Sequence, residues 1–113
     1  MQFRNLEIWK RSRALSIDVY KRTSNLKDFG FKDQLTRCAL SVPSNIAEGF
    51  EKDYSKEKRR YLLISKGSLG EFVTQVDIGI EVGFVERAVG DRWINEAIEL
   101  SKMIGSLARN LKC

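Results

Sequence analysis

Apolar residues recur every three or four positions along almost the whole chain, and nowhere do they alternate in a strand period over a useful length. That pattern confines the chain to helices, each burying one stripe. Four segments follow. The first runs over about 5–23, with Leu6, Trp9, Ile17 and Tyr20 marking one face, Ile8, Leu15 and Val19 beside it, and Asn5 placed as an N-cap. The second covers about 31–50, striped by Phe31, Leu35, Cys38, Ala39, Val42 and Ile46, with Gly49 expected to end it. The third covers about 55–83, opened by Ser55 with Glu57 in its first turn and striped by Leu62, Leu69, Phe72, Val76 and Ile80. At ~1.5 Å per residue it is roughly 43 Å long. The fourth covers about 91–111, with Ile94, Ala97, Ile98, Met103 or Ile104, Ala108 and Leu111. Short connections predict an all-α, antiparallel up-down four-helix bundle, one domain over residues 1–113.

Composition narrows the chemistry. The chain has no His, which removes the usual acid–base group near neutral pH and the commonest metal ligand. Glu48, Glu57 and Glu71 are the candidates for a carboxylate metal site, but di-iron bundles pair Glu with His, so no metal, cofactor or enzymatic activity is expected. Cys38 sits in an apolar stripe and Cys113 ends the chain, giving neither metal-ligand spacing nor a disulfide framework. With no apolar run long enough for a membrane span and no continuous apolar core near the start, a reducing cytoplasm is the expected setting.

Net charge is +5, unevenly distributed. Residues 1–66 carry 15 Lys and Arg against 8 Asp and Glu, whereas residues 67–113 carry 5 against 7. An anionic partner for the first half, nucleic acid foremost, competes with a simple solvated basic surface. The candidate contacts are Lys10, Arg11, Arg13, Lys21 and Arg22 on the first segment, and Lys56, Lys58, Arg59 and Arg60 opening the third. The latter oppose the helix dipole, a local cost that favours a functional role.

The only proline, Pro43, falls inside the second segment. It cannot donate to the Ala39 carbonyl, which in a helix interior costs ~3 kcal/mol without compensation. Ser41, Ser44 and Asn45 are placed to answer loosened backbone groups. Arg37, Ser41, Asn45 and Glu48 form one polar stripe, read either as a structural seam or as a ligand or RNA site. In the third segment Gly67 and Gly70 offer a close approach to another helix, and Ser68 and Glu71 stand ready to meet Asn45 and Arg37. A buried Arg37–Glu71 pair is the structural expectation.

These stretches carry a resemblance. "FRNLEIWKRSRALSIDVYKRT", "GFKDQLTRCALSVPSNIAEGF" and "EKRRYLLISKGSLGEF" resemble consecutive blocks of the four-helix-bundle family named for intervening sequences of 23S rRNA genes. The most specific block is met by Gln34, Leu35, Arg37, Ala39, Ser41, Val42, Pro43, Asn45, Ile46, Ala47, Glu48 and Gly49. A second is met by Glu57, Tyr61, Leu62, Gly67, Ser68 and Glu71. The first loop lacks a Pro common in the family, and Lys66 stands where Arg is as frequent. The resemblance implies a ring-shaped homopentamer and structural roles for the motif residues. It also implies a kinship with the accessory variability protein of diversity-generating retroelements, a basic pentamer that binds nucleic acid. The expected function is therefore a non-enzymatic oligomer binding RNA or DNA without sequence readout. The alternative is a protein–protein adaptor for a reverse transcriptase or a ribosomal component.

Overall fold

The computed structural model describes residues 1–112, and within them the expected four helices stand as α1 (Glu7–Arg22), α2 (Phe29–Phe50), α3 (Ser55–Glu81) and α4 (Arg87–Asn110), preceded by a 3-10 turn at Gln2–Asn5. The bundle measures 44 × 21 × 21 Å, a little longer than its longest helix, the 27-residue α3 at ~1.5 Å per residue. Each helix packs on its chain neighbours, and α4 returns to touch α1, whereas α1 and α3 are diagonal and do not touch. The seam between α1 and α4 is the narrowest.

The boundaries have local causes. Leu6, in extended backbone, is the N-cap of α1, because the preceding turn consumes Asn5. Asp28 caps α2 by accepting a hydrogen bond from the Phe31 amide at 3.0 Å, so the helix starts before Phe31. Tyr54, not Ser55, is the N-cap residue of α3. Gly83 ends α3 with φ at 86°, the left-handed conformation that glycine adopts without cost. The Phe84 amide then donates to the Gly79 carbonyl at 2.8 Å and the Gly83 amide to Ile80 at 3.2 Å, closing a Schellman turn. The fourth helix begins at Arg87 rather than near residue 91, since Gly90 is helical and packs against Ile80.

Gly49 is not a helix terminator. It lies buried within α2, where an added Cβ would meet Tyr61 Cβ at 2.9 Å and the Lys58 carbonyl oxygen at 3.2 Å. Its role is to let α2 and α3 approach closely. Gly67 and Gly70 were expected to do that, but a Cβ at either meets nothing within 4 Å.

The core joins Leu35, Val42 and Ile46 of α2 with Leu62, Leu69, Phe72 and Val76 of α3 and Trp93, Ala97, Leu100 and Ile104 of α4. From α1 it takes Ile8, Leu15 and Val19, with Ser12 and Ser16 buried between them. The expected face through Ile17 and Tyr20 is instead exposed. Small hydroxyl residues bring α1 closer than bulky ones allow, rotating the larger side chains outward.

Candidate nucleic-acid interface

Pro43 is buried, and the polar groups around it form a seam of side-chain to backbone bonds. Ser41 Oγ donates to the Cys38 carbonyl at 2.6 Å, and Asn45 Nδ2 donates to the Ser41 carbonyl at 2.8 Å. From α3, buried Ser65 donates to the Val42 carbonyl at 2.8 Å. Cys38 Sγ reaches back to the Ser68 carbonyl at 3.1 Å. Two helices are thereby locked in register around the proline. Burial, aided by the charge of Glu71, pushes the Cys38 thiol up to about 11, so it stays protonated and able to donate.

The expected Arg37–Glu71 pair does not form. Arg37 is exposed and pairs with Asp33, one turn earlier on its own helix, at 3.0 Å. Glu71 is exposed, as are Gln34 and Glu48, and Glu48 meets Lys52 at 3.6 Å. The seam needed only neutral donors, and burying a charge pair is costly where such donors suffice. Glu48, Glu57 and Glu71 are all exposed, and no group of three or more His, Cys, Asp or Glu gathers among the described residues.

The nine candidate cations divide by what they touch. Arg11 is committed to the fold, donating to Glu96 at 3.0 Å and to Glu99 at 3.0 Å across the α1–α4 seam. Those bonds hold the guanidinium firmly protonated and draw the Glu99 carboxyl below its usual range. Arg22 is bound to Asp18 at 3.0 Å, and Asp18 also accepts from Trp93 Nε1 at 2.8 Å and lies 3.5 Å from Arg92. Burial alone would raise the Asp18 carboxyl, but Trp93, Arg22 and Arg92 together lower it. Polar clamps therefore fasten α1 to α4 where apolar packing is thin. Lys58 caps the end of α2, donating to the Lys52 carbonyl at 2.5 Å, with Phe50 under its ammonium at 5.6 Å. Its cost at the start of α3 is offset at the carbonyl end of α2.

Lys10 has only an exposed contact with Glu7 at 3.7 Å. Arg13, Lys21, Lys56 and Arg59 carry no ion pair among the described residues, and Arg60 lies over the Tyr61 ring at 5.8 Å. Arg13 and Lys21 rim an apolar groove of Ile17, Tyr20, Leu40 and Pro43 between α1 and α2. Lys56, Arg59 and Arg60 border an open depression of about 800 Å³ on α3, together with Glu57, Leu63 and Ile64. Because α1 and α3 are diagonal, the two basic groups do not merge into a single patch.

Folding sorts the charge differently from chain order. The antiparallel topology gathers residues 1–14, 40–68 and 98–112 at the end of the bundle that holds the α2–α3 turn. This half contains 13 of the 20 Lys and Arg but only 6 of the 15 Asp and Glu, a net of +7 against −2 at the other. Arg4, Lys52, Lys66, Lys102, Arg109 and Lys112 join the basic end, none of them among the nine candidate cations. Counting charge by helix half, not chain half, would have found them.

The motif blocks around Pro43 and Gly49 have thus become an inter-helix seam and a close approach. A family model for the 23S rRNA-intervening sequence protein matches residues 4–106, nearly the whole chain. The chain belongs to that family. Its fold is shared by a solved structure of a protein of unknown function from the S23 ribosomal protein family of Bacteroides thetaiotaomicron. The two are 19% identical, superpose with a TM-score of 0.84, and align over 91% of this chain and 99% of the other. No curated protein matches. No helix among the described residues is long and apolar enough to cross a membrane. Within the family's blocks, Pro43, Gly49 and the Ser41 and Asn45 bonds are accounted for by packing, while Gln34, Arg37 and Glu71 remain at the surface.

Proposed function

We propose that this member of the family is a non-enzymatic, oligomeric nucleic-acid-binding bundle whose basic end meets phosphate without reading sequence. The observation that carries the reading is the segregation of charge: a net of +7 at one end, with Lys56 and Arg59 in no ion pair among the described residues. Neutralised phosphates release counterions, so such a surface binds tightly at low salt and weakly at high salt. Nothing in the surface resembles a recognition helix or a zinc module, which favours contact by charge and shape.

Assembly into a homopentameric ring strengthens this design. The groove of Ile17, Tyr20, Leu40 and Pro43 lies between α1 and α2. A second, lined by Gly70, Val73, Ala97 and Ile98, lies between α3 and α4 on the opposite side of the bundle. Contact between unlike faces runs head to tail, and rotation closes it into a ring. Cyclic symmetry then sets every basic end on the same face, multiplying a modest patch. Light scattering reads the mass, and anisotropy of a fluorescent structured RNA reads binding as salt rises. A pentamer that binds at low salt and releases at moderate salt is expected. A pentamer indifferent to RNA would transfer the basic end to an acidic protein partner, and a monomer would remove the ring.

A further inference from the structure

We propose that the depression on α3 takes single-stranded nucleic acid, with phosphates on Lys56, Arg59 and Arg60 and an unstacked base on Leu63 and Ile64; this rests on the nucleic-acid reading above. The cations alone would suit any polyanion. The discriminating feature is the apolar floor between them, for Leu63 is 48% and Ile64 39% exposed beside the cations, whereas Ile78, the other exposed large aliphatic residue of α3, lies about four turns away and has no cation in the depression beside it. Leu63 follows Arg59 and Arg60 by four and three positions, so the charged and apolar groups share one face.

A duplex presents an outer surface of phosphate and sugar, its bases stacked and paired inside. Against that surface the cations are satisfied while Leu63 and Ile64 face charged, hydrated groups and gain nothing. A single strand offers alternating demands: phosphate at the rim and an apolar base face for the floor, the combination that sequence-tolerant single-strand sites use. Glu57 is the one carboxylate on the depression and opposes phosphate at its own edge, which confines the backbone to the side of Lys56, Arg59 and Arg60. Arg60 also lies over the face of the neighbouring Tyr61 at 5.8 Å, outside the lining of the depression.

The test uses the full chain in its native assembly, with a fluorescent uridine homopolymer about twenty nucleotides long and a duplex RNA of equal length, at one fixed salt concentration. The homopolymer is expected to bind about tenfold more tightly than the duplex. Leu63→Gln combined with Ile64→Gln leaves every charge in place and is expected to erase that preference while leaving duplex affinity unchanged. Both residues are exposed, and an unchanged melting curve and scattering mass confirm that fold and assembly are retained; Ile64→Gln alone serves if the double variant changes either. Arg59→Gln with Arg60→Gln is expected to weaken both ligands. Equal binding of strand and duplex, or a preference that survives the glutamines, overturns this inference and leaves the nucleic-acid reading standing. Failure of both ligands to bind overturns both.

Discussion

Replacing Gly49 with Ala tests the claim that this family-motif glycine is a spacer between helices. In a helix interior, Gly→Ala alone stabilises by about 1 kcal/mol. At Gly49, however, the new methyl would stand 2.9 Å from Tyr61 Cβ and 3.2 Å from the Lys58 carbonyl oxygen. Neither neighbour is the tip of a flexible side chain, so α2 and α3 must separate, and such overpacking costs roughly 1–3 kcal/mol. The balance is a net loss of about 1 kcal/mol, a fall in melting temperature of roughly 4–5 °C for a domain this size. Gly67→Ala is the internal control. It sits in the same family, in a helix of the same bundle, with open space around the added carbon. It keeps the propensity gain and melts higher than the parent by about the same margin. Thermal melts followed by helical circular dichroism, with urea titrations for the free energies, separate the two. Equal stability, or a Gly49→Ala protein that melts above Gly67→Ala, would refute the close-approach account.

Three further outcomes follow from the same geometry. Ser65→Ala removes the buried bond to the Val42 carbonyl and should cost about 1 kcal/mol in urea denaturation, whereas Ser68→Ala, whose partner uses only the backbone carbonyl, should cost little. Arg37→Ala and Glu71→Ala should each leave the melting temperature unchanged, because Arg37 has only an exposed partner on its own helix. Asp18 is more acidic folded than unfolded, so its contribution is full above the unfolded carboxyl range and fades as pH falls from about 4 downward; Asp18→Asn should flatten that part of a stability–pH curve.

Much of the fold was legible because α2 and α3 carry their large apolar residues at helical spacing, and Leu35, Val42, Leu62, Phe72 and Val76 are buried as that spacing requires; in α4 Ala97, Ile104 and Ala108 are buried as expected, but Ile98 is exposed while Trp93 and Leu100, outside the expected stripe, are buried. The face of α1 was not legible. Ser12 and Ser16 are buried while Ile17 and Tyr20 are exposed, and no hydropathy pattern ranks a small serine above an isoleucine. Tertiary proximity, not periodicity, decides there. Helix ends failed for a related reason: Gly49 and Gly83 look alike in sequence, yet only Gly83 adopts positive φ, and Gly49 is fixed by Tyr61 on another helix. The candidate site was legible in part. The run from Lys56 to Arg60 stands out locally, but ion-pair partners lie as far as 88 positions away, as with Arg11 and Glu99, and these remove cations from the free surface. The basic end emerges only when four helix halves are summed.

The central claim is that one end of the bundle, and not its overall charge, binds nucleic acid. Two triple variants test it with the same change in net charge: Lys56→Gln, Arg59→Gln and Arg60→Gln at the basic end, and Lys21→Gln, Lys27→Gln and Arg37→Gln at the other. The measurement is the slope of log affinity against log salt for a single-stranded RNA. The first variant should lose affinity and lower the slope by about 2, at ~0.7 per phosphate contact, while the second keeps the parent slope. Equal losses from the two variants would contradict the account.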